Sequence, residues 1–201
     1  MGKIDFLFPT LVYSENIPNF EHKNVYLKNK ALELKQKHQS HNPTNYWHCD
    51  TFNTLGIYDE WQQDSVMQEL IQITGNNALH FADQYGVKNK TLICREFWFN
   101  VSGPGSYQEF HQHSSHHFSL CYYLQTPKNS GNIVFRSLES YTDMFPLPIE
   151  EKDYNLNSFK TYSYEPQESK LLIFRSNLSH MVEKNMSNDN RISIAMNFRF
   201  E

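Results

Sequence analysis

The sequence predicts a mainly β domain, a sandwich or a barrel, supported by two helices at its N-terminal end. Three observations predict it. Short runs rich in β-branched and aromatic residues, separated by turn residues, fill the chain from Thr91 onward. Two stretches with apolar residues at helical spacing precede them. The chain is 201 residues long with 15 Phe and 12 Tyr, enough apolar mass to build one core and too much for a disordered chain.

After an apolar opening at 6–12, Leu27, Ala31 and Leu34 recur at helical spacing among lysines and predict a first helix. A second is expected over 65–85, where Ser65 and Gln68 read as a capping box and Val66, Leu70, Ile73 and Phe81 form an apolar stripe. Gly86 ends it. Both stripes read as ordinary core faces. The expected β runs are 92–101, 107–113, 118–124, 133–137, 170–174 and 192–200, with breakers at Gly103-Pro104-Gly105 and 127–131. A Pro- and Tyr-containing stretch at 138–167 is longer than an ordinary connection and reads as a lid or a disordered insertion. The expected organisation is one domain over 1–201, with 1–90 as helical support and 91–201 as the β core.

Several function classes are excluded at this level. Cys49, Cys94 and Cys121 have neither CxxC spacing nor the even count of a disulfide framework, which argues against a zinc finger and for a reducing compartment. The formal net charge is −4 and no Lys/Arg cluster matches a phosphate backbone, so nucleic acid is not an expected partner. No apolar run approaches the about 20 residues of a membrane span, and the start lacks a secretion signal. The expected location is the cytoplasm, with no membrane partner; a homodimer is left open.

Four of the ten histidines, His111, His113, His116 and His117, fall within one short segment. In a strand His111 and His113 project to the same side, so two imidazoles can chelate one metal from a rigid element. A third ligand must come from elsewhere, and His180, just after the apolar run at 171–174, is the best candidate. Three protein ligands leave positions open, as a catalytic metal requires and a closed structural zinc site does not. An HxH pair alone is also compatible with surface or core histidines, and His116 and His117 read as turn groups or as partners behind the ligands. His22, His38, His41, His48 and His80 show no partner spacing. Downstream, Arg191 opens the alternating run Arg191-Ile192-Ser193-Ile194-Ala195, in which Arg191 and Ser193 share a face. A buried Arg with a nearby hydroxyl is a bidentate carboxylate clamp. Standing alone, it reads first as a strand-end surface Arg paired with Asp189.

These pieces, taken in order, resemble the 2-oxoglutarate- and Fe(II)-dependent oxygenases, in particular a branch of small oxygenases from bacteria and phages. Phe8-Pro9-Thr10 resembles the opening of that branch and Trp98-Phe99-Asn100 its WxN strand. His111-x-His113 with Ser119 and Tyr122-Tyr123 resembles its metal motif. Leu172-Ile173-Phe174-x-Ser176 through His180-x-Val182 and Arg191-Ile192-Ser193-Ile194-x-x-Asn197 resemble its two C-terminal motifs. The resemblance implies a double-stranded β-helix, or jelly roll. It implies Fe(II) held by His111, His113 and His180, and 2-oxoglutarate held by Arg191 with help from Ser193, Tyr123 and Asn100 lining its pocket. The implied reaction is hydroxylation of a small molecule or a protein side chain, with succinate and CO2 released.

The chain departs from the wider superfamily at His113, where the resemblance leads one to expect Asp or Glu. Glu109 shares the strand face with both histidines and could supply that carboxylate or orient a ring. Ser114, Leu120 and Arg175 also depart from the branch's pattern. The nearest rival is a cupin, a related jelly roll that uses HxH, and Gly105 ahead of His111 fits its motif. The Glu expected shortly after its second His is absent, and a cupin gives no reason for Arg191-x-Ser193. A structural jelly roll with incidental histidines is the third reading.

Overall fold

The computed structural model describes residues 2–39, 51–57, 61–137 and 147–201. Its elements are β1 (Val12–Asn16), α1 (Glu21–Lys37), β2 (Thr51–Asn53), α2 (Ser65–Asp83) and β3 (Leu92–Ser102), then β4 (Gln108–His111), β5 (Phe118–Gln125) and β6 (Ile133–Arg136). β7 (Thr161–Tyr164), β8 (Lys170–Arg175), β9 (His180–Val182) and β10 (Arg191–Phe200) complete the chain. The strands form a major sheet in the order β1-β8-β5-β10-β3-β2 and a minor sheet in the order β4-β9-β6-β7, all pairs antiparallel. This is the double-stranded β-helix that the family resemblance implies.

Alternation along the central strands divides the major sheet into two faces with different neighbours. Ile192, Ile194, Met196 and Phe198 of β10, with Leu120 and Tyr122 of β5 and Phe97 and Phe99 of β3, belong to one apolar core. That core is shared with Leu27, Ala31 and Leu34 of α1 and Met67, Leu70, Ala78 and Phe81 of α2. Both helices therefore lie outside the major sheet, as expected. On the opposite face Cys121, Tyr123, Leu172 and Phe174 meet Ile133 and Phe135 of the minor sheet. The Phe135 and Phe174 rings stand 4.8 Å apart, edge to face. The inner residues of β10 are Arg191, Ser193, Ala195 and Asn197, three of them polar and buried.

Three local expectations are corrected. The cap of α2 is Asp64, whose carboxylate accepts from the backbone N–H of Val66 and Met67 at 3.0 Å each, and not the Ser65–Gln68 box. Its buried stripe runs through Met67, Leu70, Thr74, Ala78 and Phe81, with Val66 and Ile73 on the shoulders. The N-terminal part also contributes two strands, β1 beside β8 and β2 beside β3. Within 138–167, residues 138–146 lie outside the described residues, and the rest contains β7 paired with β6. No helix among the described residues is long and apolar enough to cross a membrane.

Candidate metal centre

The minor sheet places two of the three histidines. β4 and β9 pair antiparallel with His111 directly opposite His180, so the two rings start from adjacent backbones. His113 lies two residues beyond the end of β4 and not on the strand; its position is held by a backbone N–H bond to the Ser176 carbonyl at 2.8 Å. The same-face argument for the HxH pair therefore fails for His113, which is past the strand, although the three rings do come together. The ring centroids are separated by 4.2 Å (His111–His180), 5.2 Å (His111–His113) and 5.3 Å (His113–His180). One ligand nitrogen or candidate ligand atom from each lies within 4.8 Å of the others. That spacing is close enough for the three rings to be candidates for holding one ion.

The tautomers are set by the backbone. His111 Nδ1 lies 2.8 Å from the Glu109 carbonyl oxygen and His180 Nδ1 lies 2.9 Å from that of Leu178. Each Nδ1–H is thereby the donor, and Nε2 is the nitrogen each ring can offer a metal. Glu109 contributes its carbonyl to His111, while its carboxylate does not join the cluster. Burial disfavours the imidazolium: it lowers His111, brings His113 down to about 4, and holds His180 well below the ordinary range. All three rings are neutral near pH 7, the form that binds metal.

The walls are aromatic. Trp98 stacks on His113 at 5.8 Å with planes 15° apart, and Phe174 meets His180 edge-on at 4.7 Å. Gln108 borders the cluster, its Nε2 being 3.3 Å from His111 Nε2. Nothing in the sequence marked Gln108, because its placement depends on the irregular pairing between Gln108 and His111. His116 and His117 stay outside the cluster, His117 accepting from the Phe200 N–H at 3.3 Å.

The polar residues of β10 and β5 continue the inner face. Arg191 is 5% exposed and sits over the Tyr123 ring, 5.7 Å from its centroid. No described carboxylate pairs with it, Asp189 included, and its Nε is a buried donor without an acceptor. The Tyr123 hydroxyl is likewise buried without a hydrogen bond of normal geometry. The Cys121 thiol adjoins Tyr123, Ser193 and Arg191 but is a weak partner. Asn100, opposite Ser193 across β3 and β10, accepts from the Asn53 amide at 3.0 Å. A buried guanidinium without a counter-charge is expensive, and its orphaned Nε together with the orphaned Tyr123 hydroxyl beside it suits an anion with acceptor atoms.

Comparison with known proteins now decides the family. The model of the family described as "Putative 2OG-Fe(II) oxygenase" matches residues 96–197, which contain every candidate ligand and Arg191. The chain belongs to this family. No curated protein matches it by sequence. Among solved structures it is similar to a Pseudomonas putida prolyl-4-hydroxylase, at 12% identity and a TM-score of 0.67 over 96% of this chain and 94% of that one. The α-ketoglutarate-dependent carbocyclase SnoK of nogalamycin biosynthesis gives 12% and 0.65 over 96% and 80%. HygX from Streptomyces hygroscopicus, solved with nickel and 2-oxoglutarate, gives 14% and 0.60 over 94% and 83%. At these identities the likeness is one of fold. The family match sets the cupin reading aside: this 2OG-Fe(II) oxygenase has His111 and His180 on the minor sheet, His113 just past β4 and its buried Arg191 on β10 of the major sheet.

Proposed function

We propose that the protein holds Fe(II) through His111, His113 and His180 and 2-oxoglutarate through Arg191, and hydroxylates a small molecule or a protein side chain. The buried, unpaired guanidinium of Arg191, facing the unpartnered Tyr123 hydroxyl, carries the reading. A dicarboxylate fits it: one carboxylate takes the guanidinium fork, with Tyr123 and Ser193 as further donors and Asn100 on the adjoining strand. The neutral nitrogen set fits a divalent iron and leaves positions for the keto acid end. Bound iron and 2-oxoglutarate supply the oxygen activation: one atom of O2 enters the substrate, the other enters succinate, and CO2 leaves.

The chain's own contribution is orientation and exclusion of water. Carbonyls of Glu109 and Leu178 fix two rings, Arg191 fixes the far carboxylate, and Phe135, Phe174 and Trp98 keep the interior dry. Substrate approaches past Phe159 and Tyr162, 39% and 45% exposed, whose rings continue through Tyr164 to Phe135 beside His180.

The test is anaerobic calorimetry of the purified protein with Fe(II), then with 2-oxoglutarate, followed by oxygen and a succinate assay. Saturable binding of 2-oxoglutarate that requires iron, and succinate formed on adding oxygen, are expected. Iron-loaded protein with no affinity for 2-oxoglutarate would refute the reading.

A further inference from the structure

Between two paired positions β4 carries one residue more than β9. Gln108 lies opposite Val182 and His111 opposite His180, so three steps along β4 match two along β9. In a regular strand residues three apart face opposite sides. The extra residue of the bulge turns Gln108 to the side of His111, the side that His180 and Val182 share. The result is a contact at the ligand atom itself: Gln108 Nε2 stands 3.3 Å from His111 Nε2. His111 Nδ1 faces the Glu109 carbonyl oxygen at 2.8 Å, and a carbonyl only accepts, so Nδ1 carries the ring proton and Nε2 offers a lone pair. The Gln108 amide therefore donates into the lone pair that a metal would take. Among the described residues this is the one hydrogen bond the amide makes.

Neighbouring ligands at right angles on one ion, with bonds of about 2.1 Å, stand about 3.0 Å apart. The amide nitrogen thus sits at the separation of a second ligand beside His111. It cannot act as one, because an amide NH2 only donates hydrogen bonds. When an ion takes His111 Nε2 the amide has to give up that nitrogen, and a half-buried N–H then needs another acceptor. An anionic oxygen in the position beside His111 is the acceptor that metal loading brings. We propose that Gln108 is a positioning residue of the metal centre: its amide holds His111 Nε2 in the metal-free protein and donates to the keto acid end of 2-oxoglutarate in the loaded one. Arg191 and Gln108 then grip the cosubstrate from its two ends, one by a guanidinium on β10 and one by an amide on β4.

The inference rests on His111 as a metal ligand and on 2-oxoglutarate as cosubstrate, so the two affinities are measured separately. Anaerobic calorimetry of the full chain with Fe(II), then of the Fe(II)-loaded protein with 2-oxoglutarate, is run on wild type, Gln108→Met and Gln108→Leu. Both variants keep most of the bulk and remove the donor. Fe(II) affinity should stay level or rise by up to about tenfold, because the ion no longer displaces a hydrogen bond. 2-Oxoglutarate should bind about 10- to 30-fold more weakly, the effect of losing a hydrogen bond to a charged group. A merely structural role would not separate the two, since a packing defect at His111 lowers both affinities. Should one variant fail to fold, the other decides. 2-Oxoglutarate bound within twofold of wild type overturns this inference and leaves the metal site and Arg191 standing. A loss of Fe(II) affinity alongside that of 2-oxoglutarate overturns it too. Wild type that binds no Fe(II), or binds Fe(II) without 2-oxoglutarate, overturns the proposed function and this inference with it.

Discussion

Arg191→Met separates the cosubstrate role of the arginine from its structural role. Methionine fills most of the same volume, and the arginine it replaces is 5% exposed with no described carboxylate partner. A charged hydrogen-bonded pair of this sort contributes about 1.5–3 kcal/mol, so the variant should bind 2-oxoglutarate about 10- to 100-fold more weakly. At a concentration of about 100 times Kd the ligand stabilises wild type by about 2.7 kcal/mol. A 30-fold loss of affinity brings this to about 0.9 kcal/mol at the same concentration. For a chain of this length the ligand-induced rise in Tm should fall from about 5–11 °C to about 2–4 °C. Without ligand the variant should be at least as stable as wild type, because a buried unpaired cation has been removed. Scanning calorimetry of the Fe(II)-loaded protein under nitrogen, with and without 2-oxoglutarate, reads both quantities. Arg191→Lys should lie between, keeping charge without the fork. An unchanged 2-oxoglutarate shift in Arg191→Met would show that Arg191 is not the clamp.

Other outcomes follow from the same geometry. His180→Ala should abolish iron retention on gel filtration while the Arg191→Met protein keeps its metal; equal retention in both would remove His180 from the ligand set. Burial lowers His113 from 6.5 to about 4 in the metal-free protein. The unfolded chain then binds more protons than the folded one between those values, so metal-free stability should fall by about 3 kcal/mol from this ring as pH drops from 6.5 to 4, and level off below. Urea midpoints across that range measure it, and a flat profile would contradict the burial of the ring. Gly131 has φ +90° and a Cβ there would meet the Glu183 carbonyl oxygen at 2.2 Å, so Gly131→Ala should destabilise by about 3 kcal/mol or more. An unchanged denaturation midpoint would exclude the close approach.

What the sequence revealed follows from where its information is local. The run 191–200 alternates so regularly that its two faces, and the shared side of Arg191 and Ser193, are legible without coordinates, and the structure keeps both. The convergence of His111, His113 and His180 was expected from motif order, and the rings do converge, although His113 lies past the strand. The edge strands β1 and β2 went unrecognised because 12–16 and 51–53 are short and carry little apolar signal of their own; pairing with β8 and β3 creates them. The cap at Asp64 was displaced by one residue by a competing Ser65–Gln68 pattern, a boundary question that local chemistry often leaves open. The hydrogen-bonded row Glu96–Asn197–Ser119 across the major sheet was invisible for a different reason: it exists only once three strands are in register, with a bulge correcting the offset.

The central strand has a wider consequence for how this enzyme can change. Asn197 faces the interior from one side of β10, while on the other side its neighbours Met196 and Phe198 touch α2. Thr74 Oγ1 is 3.4 Å from Met196 Sδ, and a Cβ on Gly75 would come within 3.4 Å of the Phe198 ring. The helix thus packs against the outer face of the same strand whose inner face carries Arg191, Ser193 and Asn197. Substitutions at Thr74 or Gly75 would press on Met196 and Phe198, the residues that flank the bulge after Asn197. In a laboratory selection for altered activity, such positions should be enriched beside those that touch substrate, because they alter the packing behind the central strand without replacing a residue of its inner face.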